Sequence, residues 1–513
     1  MHPSEVGKNI LRQITRLDKI AFVTVWILGL STHLRIFMHD IPNHDGMDSI
    51  CFDQNMIALG RWFLSPVAGI SSDFTLPWLI GLLSLLYMSI MAVVLCRFYR
   101  IKHGYSAAII SGLLVAFPTL TSSFAHIYVA DAYSLAMLLA VVAVCLVERG
   151  KKGFIVGGVL LGFSLGIYQA YLAIAMILSV FAVTRIWLME KKLKERLIGI
   201  VRYLAMGSIG GVVYVVMLQV SLWIQQAELS GYQGIGVKQS VSLVERVGII
   251  YKTFISYYTL KNTLLTSNIT ILFLAVLFLI SIISLWHIIK KKGMSKNLLF
   301  YVYTIVVSLL IPVYFNVILL ISPNVNYHSL MRYHWVLIPI TAIAVIDIGD
   351  DYIVKVKKKV VLQWVTLVIG LVMVGQYIVA SHISYFNLEK MYTKTYTYTL
   401  RLLEQMEETQ GYYHGMPVAM IGVVGDDYLP STSLTKESTE NLLGVDGDYL
   451  FYRADNYQLF MKYYFGVTIE LVDIQMMPEI VQKEEYKSLN TFPKENSMEV
   501  VDGILYIKLE NQQ

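Results

Sequence analysis

Apolar residues fall along this chain in long blocks, separated by short polar and basic stretches, rather than at the short period of a water-facing helix. A membrane-spanning helix needs about 20 mostly apolar residues, and about eleven such runs are present. They lie near 20–38, 76–96, 105–124, 132–148, 153–168, 170–188, 198–222, 268–289, 298–322, 333–348 and 360–380. Two pairs are tightly joined, around residues 131 and 169. The pattern predicts an all-α polytopic membrane domain over 20–380.

Lys and Arg are retained on the cytoplasmic side of membranes, so their alternation orients the helices. Arg97, Arg100 and Lys102, Arg149 to Lys152, Lys191 to Arg196, Lys290 to Lys292 and Lys355 to Lys359 all fall on one expected side. With the other segments expected on that side, about 23 Lys and Arg lie there, against about seven in the opposite loops before residue 381. The expectation is N-terminus in and C-terminus out. Residues 1–19 then read as a cytoplasmic amphipathic N-terminus, with Val6, Ile10, Ile14 and Leu17 near helical spacing.

Three expected outer segments are long enough to carry structure. The first, 39–75, is rich in aspartate. The second, 223–267, follows a glycine-rich turn with Val241, Val244, Val247, Tyr251, Phe254 and Tyr258, the spacing of an amphipathic helix in the interface. The third, 381–513, reads as a small extracytoplasmic α/β domain. It has a helix over 386–410, a buried strand Val418 to Val424, and two strands flanking Asp502-Gly503, a strong hairpin signal.

Composition agrees with this picture. Of 513 residues, 56% are hydrophobic and 15% charged, where a soluble domain carries about 25% charged. The basic runs track topology, so no nucleic-acid partner is expected; the expected partner is the lipid bilayer. Cys51, Cys96 and Cys145 match no zinc spacing and predict no intramolecular disulfide. Residues 1–19 are polar and basic, so no cleavable leader is expected there. No phosphate-binding loop, dinucleotide fingerprint, HExxH or GxSxG elbow occurs.

The candidate chemistry gathers on the expected outer side. In the first loop, Asp45 and Asp48 lie beside His44 and ahead of the run Gly60-Arg61-Trp62. A carboxylate near a low-dielectric boundary can take a proton from an attacking hydroxyl, although loop carboxylates are also ordinary solvated surface. Asp131 sits where two spans meet; an ionisable group at membrane depth marks a functional site, or it caps the next helix. Arg35, Arg61 and Arg332 read as a phosphate clamp, because guanidinium pairs with phosphate oxygens, or as snorkelling anchors. Tyr168, Gln169, Trp62, His44, Tyr327 and His334 offer aromatic and polar groups suited to a sugar ring. Nothing demands a metal, and a divalent cation between the outer carboxylates stays an open alternative.

These motifs in this order resemble the bacterial Gtr type II glucosyltransferases, membrane enzymes of the GT-C class. The residues that carry the likeness are Asn43-His-Asp45-Gly-Met-Asp48, Leu59-Gly60-Arg61-Trp62, Asp131-Ala-Tyr133, Tyr168-Gln169-Ala170, Arg332, and the stretch from Asn387 to Gly422. The resemblance implies a GT-C-like fold in the bacterial plasma (inner) membrane, its active site facing outside. It implies a polyprenyl-phosphate-linked sugar donor of glucose type and a cell-surface glycan acceptor. It also implies a catalytic acid in the first outer loop, Asp45 or Asp48. Many members carry adjacent acids there, whereas two residues separate these. Direct displacement would invert the anomeric centre. The competing readings are a flippase or transporter, another GT-C transferase of envelope polysaccharide, and a non-enzymatic scaffold; the absence of an internal repeat weighs against transport.

Overall fold

The computed structural model describes residues 2, 5, 12–42, 44–50, 52–190, 192–231, 241–259, 268–352, 356–424 and 449–509. It divides into two compact units, Met1–Met38 with Phe52–His382, and His39–Cys51 with Ile383–Gln513. The expected N-terminal helix, the glycine-rich turn after Gly231, Cys51 and the stretch Gly425 to Asp427 fall largely or wholly outside the described residues.

The first unit is helical: α1 (Arg16–Met38), α2 (Pro77–Tyr99), α3 (Gly104–Ala116), α4 (Pro118–Ala125), α5 (Ala130–Val147), α6 (Gly153–Ile167), α7 (Leu172–Met189), α8 (Leu193–Gln225), α9 (Leu243–Thr259), α10 (Asn268–Lys291), α11 (Leu298–Phe315), α12 (Leu337–Gly349) and the first half of α13 (Val356–Glu408). Among the described residues, nine helices are long and apolar enough to cross a membrane, or ten if the bent pair α3 and α4 is one span. The remaining apolar run, 153–168, coincides with α6, which has only 15 residues. Its glycines explain how so short a helix is held. A Cβ on Gly158 would meet Ile209 at 2.7 Å, and one on Gly162 would meet Val213 at 2.5 Å. Without side chains there, α6 and α8 approach closely, the small-residue packing that substitutes for hydrophobic drive in lipid.

The α3–α4 bend of 41° follows from Pro118. Proline has no N–H for the Leu114 carbonyl, and extended Phe117 (ψ 127°) interrupts the ladder. Two buried side chains satisfy the freed acceptors: the Tyr333 hydroxyl donates to the Leu114 oxygen at 2.7 Å, and His33 Nε2 donates to the Val115 oxygen at 2.7 Å. At its N-terminus, α1 starts on a capping box, Thr15 to Asp18, whose carboxylate is gripped by Arg97 at 2.8 and 2.9 Å. A second capping box, Ser242 to Glu245, starts α9, and the Ser242 hydrogen bonds draw the Glu245 carboxyl below its ordinary value. α9 packs on α11; Tyr251 hydrogen-bonds the Leu309 carbonyl and Phe254 stacks near Phe315 and Trp335.

The second unit holds a four-stranded sheet of β1 (Pro417–Ile421), β2 (Glu470–Leu471), β3 (Met498–Val501) and β4 (Ile504–Lys508), in the order β2-β1-β4-β3. β1 runs parallel to β2 and β4, and β3 pairs antiparallel with β4, Val501 opposite Ile504. Asp502 and Gly503 both take positive φ, +52° and +74°, as a tight two-residue hairpin requires. Ala419, Ile421, Ile480, Tyr486, Leu489 and Tyr506 form its core. One difference from the sequence reading is continuity. The expected span ending at 380 and the expected helix from 386 are one 53-residue helix, α13. No Gly or Pro lies between them, and Ser381 turns its hydroxyl back to the Tyr377 carbonyl at 2.9 Å.

Candidate functional site

Within the first unit, three motifs that are far apart in sequence meet around the Arg61 guanidinium. Arg61 follows Gly60, whose φ of +76° turns the chain after the short helix Ile57–Leu59. A bridge between Met56 and Arg61 closes that turn. The guanidinium, half-buried, donates to the Tyr133 hydroxyl at 3.1 Å and lies over the Tyr168 ring at 4.8 Å. Tyr133 and Tyr168 are themselves stacked, centroids 4.5 Å apart and planes 16° from parallel. Tyr171 meets both rings edge-on. The result is a cation held on an aromatic box, its charge stabilised by the ring face and by one phenol.

The loop carrying Arg61 is fastened to the Tyr168 turn by several independent contacts. The Phe63 N–H donates to the Gly166 carbonyl at 2.9 Å. Gln169 Nε2 donates to the Leu59 carbonyl and sits 3.1 Å from the Tyr214 hydroxyl. Trp62 is buried among Ile57, Phe63, Phe163, Leu218 and Leu222, its indole pressed against Gly166. Trp62 and Gln169, read in sequence as sugar contacts, here hold the loop in place.

Gly60 is where this assembly is most sensitive. A Cβ there would lie 2.7 Å from both Gln169 Nε2 and the Tyr214 hydroxyl, in a backbone region that L side chains rarely adopt. Gly60→Ala is expected to cost about 1–2 kcal/mol from backbone strain alone. It should lower the thermal unfolding temperature of the detergent-solubilised protein and reduce activity together.

Asp131 is almost wholly buried, 1% exposed, at the second residue of α5. It is not the cap residue, which is Val129; instead its Oδ1 accepts the Ala132 N–H at 2.8 Å and it lies beside the Ser71 hydroxyl. The positive end of α5 favours a carboxylate at that position. Two residues on, Tyr133 reaches Arg61.

Arg332 lies on the 3-10 segment Ser329–Val336, which packs on α4 and on the Gln169–Tyr171 turn. Its guanidinium sits over the Tyr327 ring at 4.4 Å, and burial holds the Tyr327 phenol above its ordinary value. Tyr327 donates to the Phe315 carbonyl at 3.3 Å. His334 is fully enclosed between Phe315 and Trp335. Arg35 lies exposed in the last turn of α1.

In the second unit, the first-loop acids occupy the 3-10 turn His44–Ser49, which packs on the helix Ala454–Phe460. Met47 is fully buried and anchors the turn, while Asp45 is exposed. The side chains of His44 and Asp48 lie outside what is described. Among the described residues, no group of three or more His, Cys, Asp or Glu is arranged to hold a metal ion.

Tyr133 and Tyr214 were not singled out in the sequence as partners of the site. Tyr133 had a signal, its place two residues after Asp131. Tyr214 is one phenol in a 33-residue apolar helix, and only the need of a buried hydroxyl for a partner marks it.

The family model described as glucosyl transferase GtrII matches residues 34–346 of the chain. No curated protein and no solved structure matches it.

Proposed function

The chain belongs to the glucosyl transferase GtrII family, and from that premise we propose that it transfers glucose from a polyprenyl-phosphate carrier to a cell-surface glycan outside the cytoplasm. The observation that carries the proposal is the Arg61 box: a half-buried cation on the expected outer side, fixed by residues of three separate motifs, all within the matched region.

In this reading the bilayer holds the polyprenyl tail, and Arg61 and Arg332 receive the phosphate, with Arg35 at the outer end of α1. Guanidinium groups pair with phosphate oxygens, and partial removal from water strengthens each charge-assisted hydrogen bond. Asp45, or else Asp48, takes the proton of an acceptor hydroxyl. The oxygen forms its bond to the anomeric carbon as the bond from that carbon to the phosphate oxygen breaks. The bonding pair leaves with polyprenyl phosphate, whose charge the arginines neutralise, and the anomeric configuration inverts. Positioning and stabilisation of the leaving phosphate supply most of the acceleration. Asp131 and Tyr133 set the position of Arg61, and the Tyr168 and Tyr327 rings lie against the two guanidinium groups.

Two experiments test this. Deleting the gene should remove glucosyl branches from the surface polysaccharide, and restoring it should return them; a glycan unchanged by deletion rejects the proposal. Arg332→Ala should weaken binding of polyprenyl-phosphate-glucose by about tenfold to a hundredfold, the loss of one or two charge-assisted contacts. Unchanged affinity in a binding titration removes Arg332 from the clamp.

A further inference from the structure

We propose that the second unit carries a binding subsite for the acceptor glycan, built from Asp40, Tyr464, Tyr392, Tyr396 and Phe465. None of these five residues was among those read from the sequence as site candidates.

The helix Ala454–Phe460 continues into a π-helical turn, Met461–Phe465, that sends three aromatic rings out in succession. Single π turns inside helices occur frequently at functional sites, because the extra residue re-aims side chains. The Tyr464 hydroxyl donates to the Asp40 carboxylate at 2.8 Å. Phe465 stacks on Tyr396 of α13, centroids 4.6 Å apart and planes at 27°. Tyr392, one turn earlier on α13, stands edge-on to Phe460 and Tyr464. Tyr396 is 39% exposed and the neighbouring Tyr463 44%. Lys462 lies over the Tyr463 ring.

This combination fits a pyranose chain. A sugar ring presents C–H groups on its faces, which pack on aromatic rings, and hydroxyls at its edge, which a carboxylate and a phenol bind. Asp40 keeps acceptor capacity beyond the one bond it receives. A purely structural cluster would bury its rings, as Tyr398, Tyr449 and Tyr457 do nearby.

The subsite is continuous with a candidate acid. Phe460, which closes the base of the aromatic patch, belongs to the same helix against which the Asp45 turn packs. An acceptor lying on the patch would lead along that helix toward Asp45. That the ligand is the acceptor rests on the transferase reading.

The test uses the full chain in lipid nanodiscs, without donor, and oligosaccharides released from the surface polysaccharide of the cells that make the protein. Titration should show binding, weakened about tenfold or more by Tyr396→Ala and by Tyr464→Phe. Tyr413→Ala, 61% exposed elsewhere in the unit, should leave it unchanged. Tyr464→Phe removes one oxygen and serves where truncation unfolds the unit. Absent binding by the unsubstituted chain, or equal binding by both variants, overturns the subsite. Transfer assays separate the two proposals. A chain that binds glycan and transfers nothing defeats the transferase reading and leaves the subsite standing. A chain that transfers with the same acceptor KM in Tyr396→Ala defeats the subsite alone.

Discussion

A chain carrying Asp45→Asn and Asp48→Asn together is expected to insert into the membrane normally and to transfer glucose about 10²–10⁴-fold more slowly. The substitutions are nearly isosteric and leave the buried anchor of the turn, Met47, untouched. They remove only the capacity to accept a proton. Asp45 is exposed, so its amide replacement has little reason to disturb folding. Each single variant then shows which acid acts: the one whose loss reproduces the double variant is the base, and the other is spacing. The check is the rate of labelled-glucose transfer by purified protein, corrected for the amount of folded chain. Rates within twofold of the unsubstituted protein take both acids out of the mechanism.

The second large effect is expected at Arg61. Arg61→Ala removes the cation from a half-buried aromatic box together with its hydrogen bond to the Tyr133 hydroxyl. Loss of two charge-assisted contacts to the leaving phosphate, at about 1.5–3 kcal/mol each, corresponds to roughly 10²–10⁴-fold in kcat/KM. Arg61→Lys keeps the charge and loses the planar fork that stacks on Tyr168 and pairs with phosphate, so it should recover only part of the rate. Tyr133→Phe should cost much less, because the stack on Tyr168 remains. Kinetics with varied donor concentration distinguish these outcomes. Equal activity of Arg61→Ala and the unsubstituted chain would reduce Arg61 to a packing residue.

The membrane helices were legible because their signal is coarse. A run of about 20 apolar residues has few other uses, and the hairpin at Asp502-Gly503 carries the one dipeptide signal that two positive φ angles demand. The continuity of α13 was not legible. Hydropathy drops at Ser381, and a change of solvent along one helix looks in sequence like the end of that helix. The 3-10 character of Ser329–Val336 was hidden for a related reason, since its backbone geometry depends on packing against α4 and the Gln169 turn.

The candidate site was legible in its residues and less so in their partners. Arg61, Tyr168, Gln169 and Asp131 could be picked out as polar groups at or beside the ends of apolar runs. Which would grip which could not, because periodicity does not report contacts between distant segments. Gln169 and Trp62 read as groups suited to a sugar ring, and in the fold both also brace the Arg61 loop. Both jobs call for the same residue types. A hydrogen-bonding amide and a large amphipathic ring serve a loop anchor as well as a pyranose. The aromatic patch of Tyr392, Tyr396 and Tyr464 was overlooked because tyrosines are frequent here, 34 in all, and their clustering appears only after folding.

The account as a whole meets its most direct test in one reconstitution. Purified chain in proteoliposomes would be given synthetic polyprenyl-phosphate-glucose, labelled in the sugar, and surface polysaccharide from cells that lack the gene. The expected result is labelled polysaccharide of inverted anomeric configuration, with polyprenyl phosphate released in equal amount. Label that crosses the bilayer still joined to its lipid, with none in the polysaccharide, would instead mean that the protein carries lipid-linked sugar and does not transfer it.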